Sequence, residues 1–210
     1  MRKVLILMYM TLDGVAEFPE YAEDAGSEAA DETPPMWTSR MDSTDTLLLG
    51  RLTYEKWAGF WPRWKNEPSS GKFMQEFSRF ADRAEKVVFS KTLTSAEWPN
   101  SRIVRGDLGE EVARLRAQPG RDIVLGGGPR LAQSLLERDL ADELFLTMFP
   151  SIVGSGKPVF RVAGNPDHDP DAVPLGAPGR HDFTLNSARS LASGEVLLHY
   201  TRGAPSPSPP

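Results

Sequence analysis

The chain has 210 residues, of which 40% are hydrophobic and 25% are charged, a composition typical of one soluble globular domain. Its net charge of −5 provides no basic surface for nucleic acid, and the absence of cysteine excludes disulfides, thiol nucleophiles and cysteine-ligated zinc. No segment reaches the ~20 apolar residues that a membrane helix needs, so we expect a cytoplasmic protein without a membrane partner.

The chain begins with a short apolar run, Val4–Met10, after Arg2 and Lys3. Because Asp13 follows without the small-residue pattern of a signal-peptide cleavage site, we interpret this run as a buried first strand. At the other end, residues 203–210 are rich in proline and serine and predict a disordered tail. The folded domain is therefore expected to span residues 1–202.

Short apolar runs alternate with helical patterns along the chain. The predicted strands are, in order, Val4–Met10, Thr46–Leu49, Lys86–Phe89, Arg102–Arg105, Ile123–Leu125, residues 144–149, Phe183–Ala188 and Val196–Thr201. The predicted helices are Thr53–Phe60, Lys72–Ala84, Glu110–Ala117 and Leu131–Leu140. Several strands are apolar on both faces, which indicates helices on each side of the sheet. The pattern predicts an α/β fold with a central, mostly parallel sheet and an antiparallel C-terminal edge.

A glycine run follows the strand Ile123–Leu125. It consists of Gly126, Gly127 and Gly128, and Pro129 and Arg130 come next. Bare backbone lets an anion approach the main chain, and a helix N-terminus favours negative charge. A tight strand-to-helix turn that binds nothing is the alternative. The run fails the dinucleotide fingerprint because Leu131 stands where its third glycine is needed.

Two further junctions have phosphate-compatible groups. At the first, a strand ends at Gly50, and Arg51 and Thr53 follow in the expected first helical turn; at the second, Ser90 and Lys91 follow a strand. Taken alone, each of them is better explained as a plain surface loop. If the strands are parallel, however, all three junctions lie at one edge of the sheet, where α/β proteins bind ligands. Together they predict an anion site of dinucleotide size.

Four blocks in this order carry a family resemblance: Met10–Val15, Leu47–Glu55, Val87–Thr92 and Asp122–Phe160. With these blocks the chain resembles the dihydrofolate reductase superfamily, and more closely its branch related to the riboflavin-biosynthesis reductase domain. The resemblance implies the three-layer fold of that superfamily and an NADPH-dependent reductase. Such an enzyme transfers hydride to a small heterocyclic substrate, pterin-like or pyrimidine-like.

The resemblance also implies roles for particular residues. Gly50, Arg51 and Thr53 would hold the cofactor phosphates, and Ser90 with Lys91 would lie near the adenosine ribose phosphate. The turn around Asp13 would border the nicotinamide. The pyrophosphate would be wrapped by the segment Gly126, Gly127, Gly128, Pro129 and Arg130.

The chain departs from its relatives at the substrate side. Riboflavin-pathway reductases typically carry Glu before their glycine pair, whereas Leu125 precedes the glycines here, which argues against a pyrimidine phosphate substrate. Folate reductases place a carboxylate on the first helix, where this chain offers only Asp31 and Glu32, which we interpret as solvated loop acids. Asp13 and Glu32 are therefore only weak candidates for a catalytic acid. The long irregular segments 17–35 and 163–180 are expected to line or cover the site.

Other classes of function stay open. A non-catalytic nucleotide-binding or interaction module on the same fold is the main alternative, and a flavin- or phosphosugar-binding protein is a weaker one. Four aromatic residues at helical spacing indicate core or a dimer contact more than substrate stacking: Trp57, Phe60, Trp61 and Trp64. Related reductases often pair, so a homodimer is expected. The three histidines show no metal-ligand spacing.

Overall fold

The computed structural model describes residues 1–16, 35–160 and 181–203. Eight strands are present there: β1 (Val4–Met10), β2 (Thr44–Gly50), β3 (Glu85–Phe89), β4 (Ser101–Val104), β5 (Asp122–Gly126), β6 (Glu143–Met148), β7 (Phe183–Ser190) and β8 (Val196–Arg202). The helices are α1 (Pro35–Thr38), α2 (Arg51–Phe60), α3 (Lys72–Arg83), α4 (Leu108–Ala117) and α5 (Pro129–Glu137), with a 3₁₀ turn at Trp61–Arg63. The candidates Asp31 and Glu32 and residues 204–210 of the predicted tail lie outside the described residues, as do 17–34 and 163–180 of the two long segments.

All eight strands form one sheet in the order β4-β3-β2-β5-β1-β6-β8-β7. Strands β1 to β6 run parallel to one another, whereas β8 pairs antiparallel with both β6 and β7. The predicted fold, a mostly parallel sheet with an antiparallel C-terminal edge, is confirmed.

Two hydrophobic cores lie on opposite faces of this sheet. On one face, α1, α2 and α3 pack over alternate strand residues such as Leu5, Leu47 and Val124. On the other face, α4 and α5 pack over the intervening residues, such as Ile6 and Leu125. Because successive side chains of a strand point to opposite faces, a strand covered on both sides is apolar throughout. The three layers follow from this burial.

Several helix boundaries differ from the prediction for identifiable reasons. Helix α4 begins before Glu110 because the Asp107 carboxylate accepts hydrogen bonds from the backbone N–H of Gly109 and Glu110, at 2.7 and 3.2 Å. Helix α5 begins at Pro129, which needs no N–H at that position, and stops short of the predicted Leu140. Asp139 has a left-handed φ of 56°, which no helix can continue.

The aromatic cluster belongs to the core. Trp57 and Trp61 are buried, and the ring of Trp61 lies 4.3 Å from that of Phe77, centroid to centroid. Phe60 and Trp64 are partly buried against the same core. The core interpretation of the cluster is confirmed, so these residues give no reason to expect a dimer contact, and the homodimer stays a prediction.

Two histidines are described, and each faces one carboxylate. His199 Nε2 lies 2.9 Å from Glu143 Oε2, and His181 Nδ1 lies 3.3 Å from Asp139 Oδ1. Across residues 1–16, 35–160 and 181–203, no three potential ligands come together at a metal-binding distance. Within the same ranges, no helix has the length and apolarity needed to cross a membrane.

Candidate functional site

The three predicted phosphate-compatible segments follow three neighbouring strands. Gly50 ends β2, Gly126 ends β5, and Ser90 follows β3. Strand β2 lies between the other two and pairs with both of them. Since β1 to β6 are parallel, their carboxyl ends meet at one edge of the sheet, called here the carboxyl edge. This is the edge where open α/β sheets bind ligands.

At the carboxyl edge, the turn between β5 and α5 consists of two glycines in the left-handed region. Gly127 has a φ of 82° and Gly128 a φ of 88°, which L side chains rarely adopt. A Cβ on Gly127 would meet no atom within 4 Å, so open space lies beside this turn. A Cβ on Gly128 would lie 3.2 Å from the Thr53 hydroxyl oxygen. The β5–α5 turn therefore approaches the first turn of α2.

The starts of α2 and α5 lack side-chain caps. Gly50 is the N-cap of α2 and Gly128 that of α5, and neither has a side chain that could accept from the first-turn N–H groups. Pro129 contributes no N–H, which leaves Arg130 to supply the first amide of α5. The two helix N-termini, neither of them capped by a side chain, thus meet near Thr53. The N–H groups of a helix N-terminus and the helix dipole stabilise an anion.

Gly126 serves a different purpose from its two neighbours. It is buried, and a Cβ at this position would lie 2.5 Å from Cη2 of Trp57 and 3.2 Å from two ring atoms of Trp37. The absence of a side chain at Gly126 is thus required by packing, whether or not an anion also binds to its backbone.

Leu125 does not line the site. It is fully buried in the core beneath α4 and α5, on the face opposite to Trp57. The residue directly before the left-handed glycine pair is Gly126, so the interpretation of Leu125 as the substituted substrate-contacting position was wrong. Sequence alone could not distinguish Gly126 from Gly127 because all three glycines read alike.

Arg51 lies at the start of α2, where its guanidinium forms an ion pair with the Glu55 carboxylate, Nη1 to Oε2, at 3.0 Å. Both side chains are partly exposed. The charge of Arg51 is therefore matched on the helix surface before any anion arrives.

The loop after β3 closes on itself. The Ser90 hydroxyl oxygen accepts hydrogen bonds from the backbone N–H of Thr92 at 3.2 Å and of Leu93 at 2.8 Å. Lys91, which lies between Ser90 and Thr92 in the chain, is exposed. Ser90 thus shapes the loop that presents Lys91, and its own hydroxyl proton is left to donate.

Arg105 is a residue of this edge that the sequence analysis missed. It was assigned to the end of a strand, whereas β4 ends at Val104 and Arg105 follows it, exposed. Its guanidinium donates to the backbone carbonyls of Ser90 and Leu93, at 3.1 and 2.8 Å. A basic residue one position beyond a predicted strand was the available signal.

Asp13 holds two loops of the carboxyl edge together. Its carboxylate accepts hydrogen bonds from the Thr11 hydroxyl and from the backbone N–H of Gly154, the latter at 2.8 Å. These two bonds, led by that from Thr11, lower the pKa of Asp13 below its ordinary value. A carboxyl group with a lowered pKa is ionised at neutral pH, which suits an acceptor rather than a proton donor.

The same two loops present an apolar surface. The Leu12 backbone N–H donates to the Ser151 carbonyl at 2.8 Å, which joins the loop after β1 to the loop after β6. Leu12 is 56% exposed and Ile152 is 74% exposed. These exposed apolar side chains would favour contact with an apolar surface of a ligand at this end of the carboxyl edge.

An anionic dinucleotide fits the residues present. The left-handed glycine turn is open above Gly127, and two helix starts without side-chain caps meet at Thr53. The cations of Lys91 and Arg105 follow β3 and β4, two and three strands from β5. NADP(H) has anionic and planar parts that match such an arrangement.

Solved structures share this architecture. A protein from Shewanella sp. PV-4 described as belonging to riboflavin biosynthesis is 18% identical, with a TM-score of 0.68 over 96% of this chain and 99% of that one. Dihydrofolate reductase from Enterococcus faecalis, complexed with NADP(H), is 16% identical, with a TM-score of 0.54 over 96% and 97%. The fold is thus that of the dihydrofolate reductase-like proteins.

The sequence comparisons narrow this class to one family. The model of the RibD C-terminal domain matches residues 2–194, so the chain belongs to that family. It is 30% identical over 201 residues to the uncharacterized protein YyaP of Bacillus subtilis (strain 168), covering 95% of this chain and 94% of that protein. Family and fold are those of reductases, as the resemblance implied.

Proposed function

We propose that this protein is an NADPH-dependent reductase that transfers hydride to a small heterocyclic substrate, pterin-like or pyrimidine-like. The observation that carries the proposal is the meeting of two uncapped helix N-termini at the carboxyl edge, where Thr53 approaches Gly128. The N–H groups and the dipole of a helix N-terminus stabilise the charges of a pyrophosphate. Membership of a reductase family supports the same assignment.

In this proposal the pyrophosphate lies between the starts of α2 and α5. Gly50, Arg51 and Thr53 contact it from α2. The glycine turn contacts it through its backbone, with Pro129 and Arg130 in the first turn of α5. Ser90 and Lys91 lie toward the adenosine ribose, two strands from α5.

The reduced nicotinamide would supply the hydride. The protein would hold it beside the turn at Asp13, which keeps the loops after β1 and β6 together. Because the lowered pKa of Asp13 disfavours proton donation, the proton is assigned to water or to Glu32, which lies outside the described residues.

A charge introduced at the start of α2 tests the site. Leu52, in the first turn, is 55% exposed, and Leu52→Glu should stabilise the helix dipole while repelling a bound phosphate. We expect a loss of NADPH affinity of about ten-fold or more, with an unchanged or raised melting temperature. Leu185→Glu on β7, at the far edge of the sheet and 50% exposed, is the control and should leave affinity unchanged.

The measurement is titration of the purified protein with NADPH and with NADH. If the wild-type protein binds neither at millimolar concentration, the proposal is wrong. It is equally wrong if Leu52→Glu binds NADPH as tightly as the wild type does.

A non-catalytic nucleotide-binding module is the second candidate, favoured by the structural role of the Asp13 carboxylate, which accepts hydrogen bonds from the Thr11 hydroxyl and the Gly154 N–H. Cofactor binding without oxidation of NADPH, across a panel of pterins, pyrimidines and quinones, would support it. Turnover of any panel member would exclude it. Light scattering of the same preparation would decide whether the protein is a homodimer.

A further inference from the structure

A second concave site lies at the opposite edge of the sheet, where strands β1 to β6 begin, called here the amino edge. An open pocket of about 410 Å³ lies there, between the starts of β1, β2 and β5 and the end of α4. Pockets that hold small ligands have volumes of about 300–1,000 Å³, so this one has room for a small organic molecule. The polar and charged residues among its lining are Arg2, Ser43, Arg116, Gln118, Arg121 and Asp122.

The turn 119–121, which forms one wall of the amino-edge pocket, is fixed by the ion pair of Arg2 with Asp45. Arg2 Nε donates to the Arg121 carbonyl at 2.7 Å, and Asp45 Oδ2 accepts from the Arg121 backbone N–H at 2.7 Å. A Cβ on Gly120 would lie 2.8 Å from Asp45 Oδ2, so the turn packs directly on the pair. The backbone of Arg121 is therefore held in place before any ligand arrives, which lowers the entropic cost of binding.

The three arginines of the pocket differ in charge balance. Arg2 is buried and paired with Asp45, and Arg116 is paired with Asp142 at 2.6 Å. Arg121 is exposed, and its Nη1 donates to a neutral backbone carbonyl at 2.9 Å. No carboxylate in residues 1–16, 35–160 or 181–203 forms an ion pair with it. The positive charge of Arg121 is thus left without a partner acid in these ranges.

Arg116 and Arg121 both have donor capacity to spare, because a guanidinium carries five N–H groups. Nη2 of Arg116 donates to the Leu140 carbonyl and to Asp142, whereas its Nε is buried and meets no partner among the described residues. Among the described lining residues Asp122 is the one acid. Burial raises the pKa of Asp122, so its negative charge is held less strongly than that of a free carboxylate.

We propose that the amino-edge pocket binds a small organic anion, whose carboxylate or phosphate group contacts the guanidinium groups of Arg121 and Arg116. The planar fork of donors on an arginine matches both of these acid groups. The proposed cofactor function is not needed for this site. Strand β2, seven residues long, leads from the pocket to the carboxyl edge, a distance of roughly 20 Å. The two sites can therefore be filled at the same time.

The experiment is a titration of the ¹⁵N-labelled full chain with inorganic phosphate and with succinate, followed by NMR at an ionic strength held constant with sodium chloride. We expect saturating shifts of the backbone amides of Gly120 and Arg121 and of the side-chain Nε–H of Arg116. The tighter of the two probes identifies which acid group the pocket prefers. Backbone amides of Gly127 and Gly128 report separately on the carboxyl edge.

Three variants test the assignment, after the melting temperature of each has been checked. Arg121→Gln should weaken binding of both anions by about ten-fold or more. Gln118→Glu keeps every arginine and adds a negative charge beside the pocket, so it should also weaken binding. Arg79→Gln is the control, because it makes the same charge change at an exposed residue of α3. Its affinities should stay within about two-fold of the wild type.

The inference is wrong if the shifts at Gly120 and Arg121 grow without saturation, or if Arg121→Gln binds both anions as tightly as the wild type does. An equal loss in Arg79→Gln and Arg121→Gln would also overturn it, since net charge alone would then explain the binding. Shifts confined to Gly127 and Gly128 would overturn it as well, while supporting the proposed cofactor site.

Discussion

The indole of Trp57 occupies the space that a side chain on Gly126 would need. Cη2 of Trp57 would lie only 2.5 Å from a Cβ at this position, and both residues are buried. Trp57 itself is held by the core, with its ring 5.6 Å from that of Phe77. The end of β5 is therefore joined to α2 by direct contact of backbone with an aromatic ring.

Gly126→Ala should destabilise the protein. A methyl group there must displace the Trp57 ring, and overpacking of this kind costs about 1–3 kcal/mol. The free energy of unfolding in urea is the measurement. Gly59→Ala, in α2, is the control because a Cβ there meets no atom within 4 Å. It should gain about 0.5–1 kcal/mol from helix propensity. Equal stability of the two variants would contradict the packing argument.

Thr53→Val tests the contact between α2 and the glycine turn. Valine keeps the shape of threonine but removes the hydroxyl that lies beside Gly128. If this hydroxyl donates to the cofactor phosphates, NADPH affinity should fall by about 1 kcal/mol, roughly five-fold. Isothermal titration calorimetry gives the affinity. Thr184→Val, on the exposed far strand β7, should leave it unchanged. An unaltered affinity in Thr53→Val would remove Thr53 from the site.

Lys86→Met should weaken the C-terminal end of α3. The Lys86 side chain is fully buried, and its ammonium group donates to the carbonyl oxygens of Ala81, Asp82 and Ala84. Removing the donor leaves buried acceptors unpaired, at about 1–3 kcal/mol each. Urea unfolding measures the loss. Lys72→Met, on the first turn of the same helix with its side chain 82% exposed, should change stability little. A stable Lys86→Met variant would contradict this role.

The stability of the protein should also depend on Lys86 at high pH. Burial lowers the pKa of Lys86 from 10.5 to about 8 in the folded protein. Between these two values the unfolded chain binds the proton and the folded chain does not, so the free energy of unfolding should rise with pH over this window. Subtracting the pH profile of Lys86→Met isolates this contribution. A flat difference between about pH 8 and 10.5 would contradict it.

Asp13→Ala should loosen the loop after β6, because it removes the acceptor of the Gly154 N–H. We expect faster amide hydrogen exchange at Gly154, with Asp13→Asn nearer to the wild type because its amide oxygen can still accept. In the folded wild type the pKa of Asp13 is lowered below its ordinary value of 3.8. The protection of the Gly154 amide should therefore be complete at pH values above 3.8 and be lost only as the pH falls through the lower pKa of the folded protein.

The two Asp13 variants also distinguish a catalytic proton donor from a hydrogen-bond acceptor that only holds the loops together. If Asp13 donated the proton in catalysis, Asp13→Asn would abolish NADPH oxidation as fully as Asp13→Ala. We expect Asp13→Asn to retain more oxidation than Asp13→Ala, with little change in the shape of the pH–rate profile.

The sequence by itself determined the class of fold and which strand ends form the candidate site. Buried strands that alternate with helices predict a parallel sheet, and the carboxyl ends of parallel strands meet at one edge. Gly50, Ser90 and the glycine run could therefore be placed together from the sequence. The helical spacing of Trp57 and Trp61 also indicated core correctly.

Only the tertiary structure decided what individual residues do at that edge. Gly126 serves packing because Trp57, distant in sequence, contacts it, and Leu125 points into the opposite core. Arg105 joins the site because β4 ends at Val104 and the β3–β4 register brings it level with Ser90. Local sequence specifies which elements form. The partners of a side chain depend on strand order and register, and these are set when separate elements pack together.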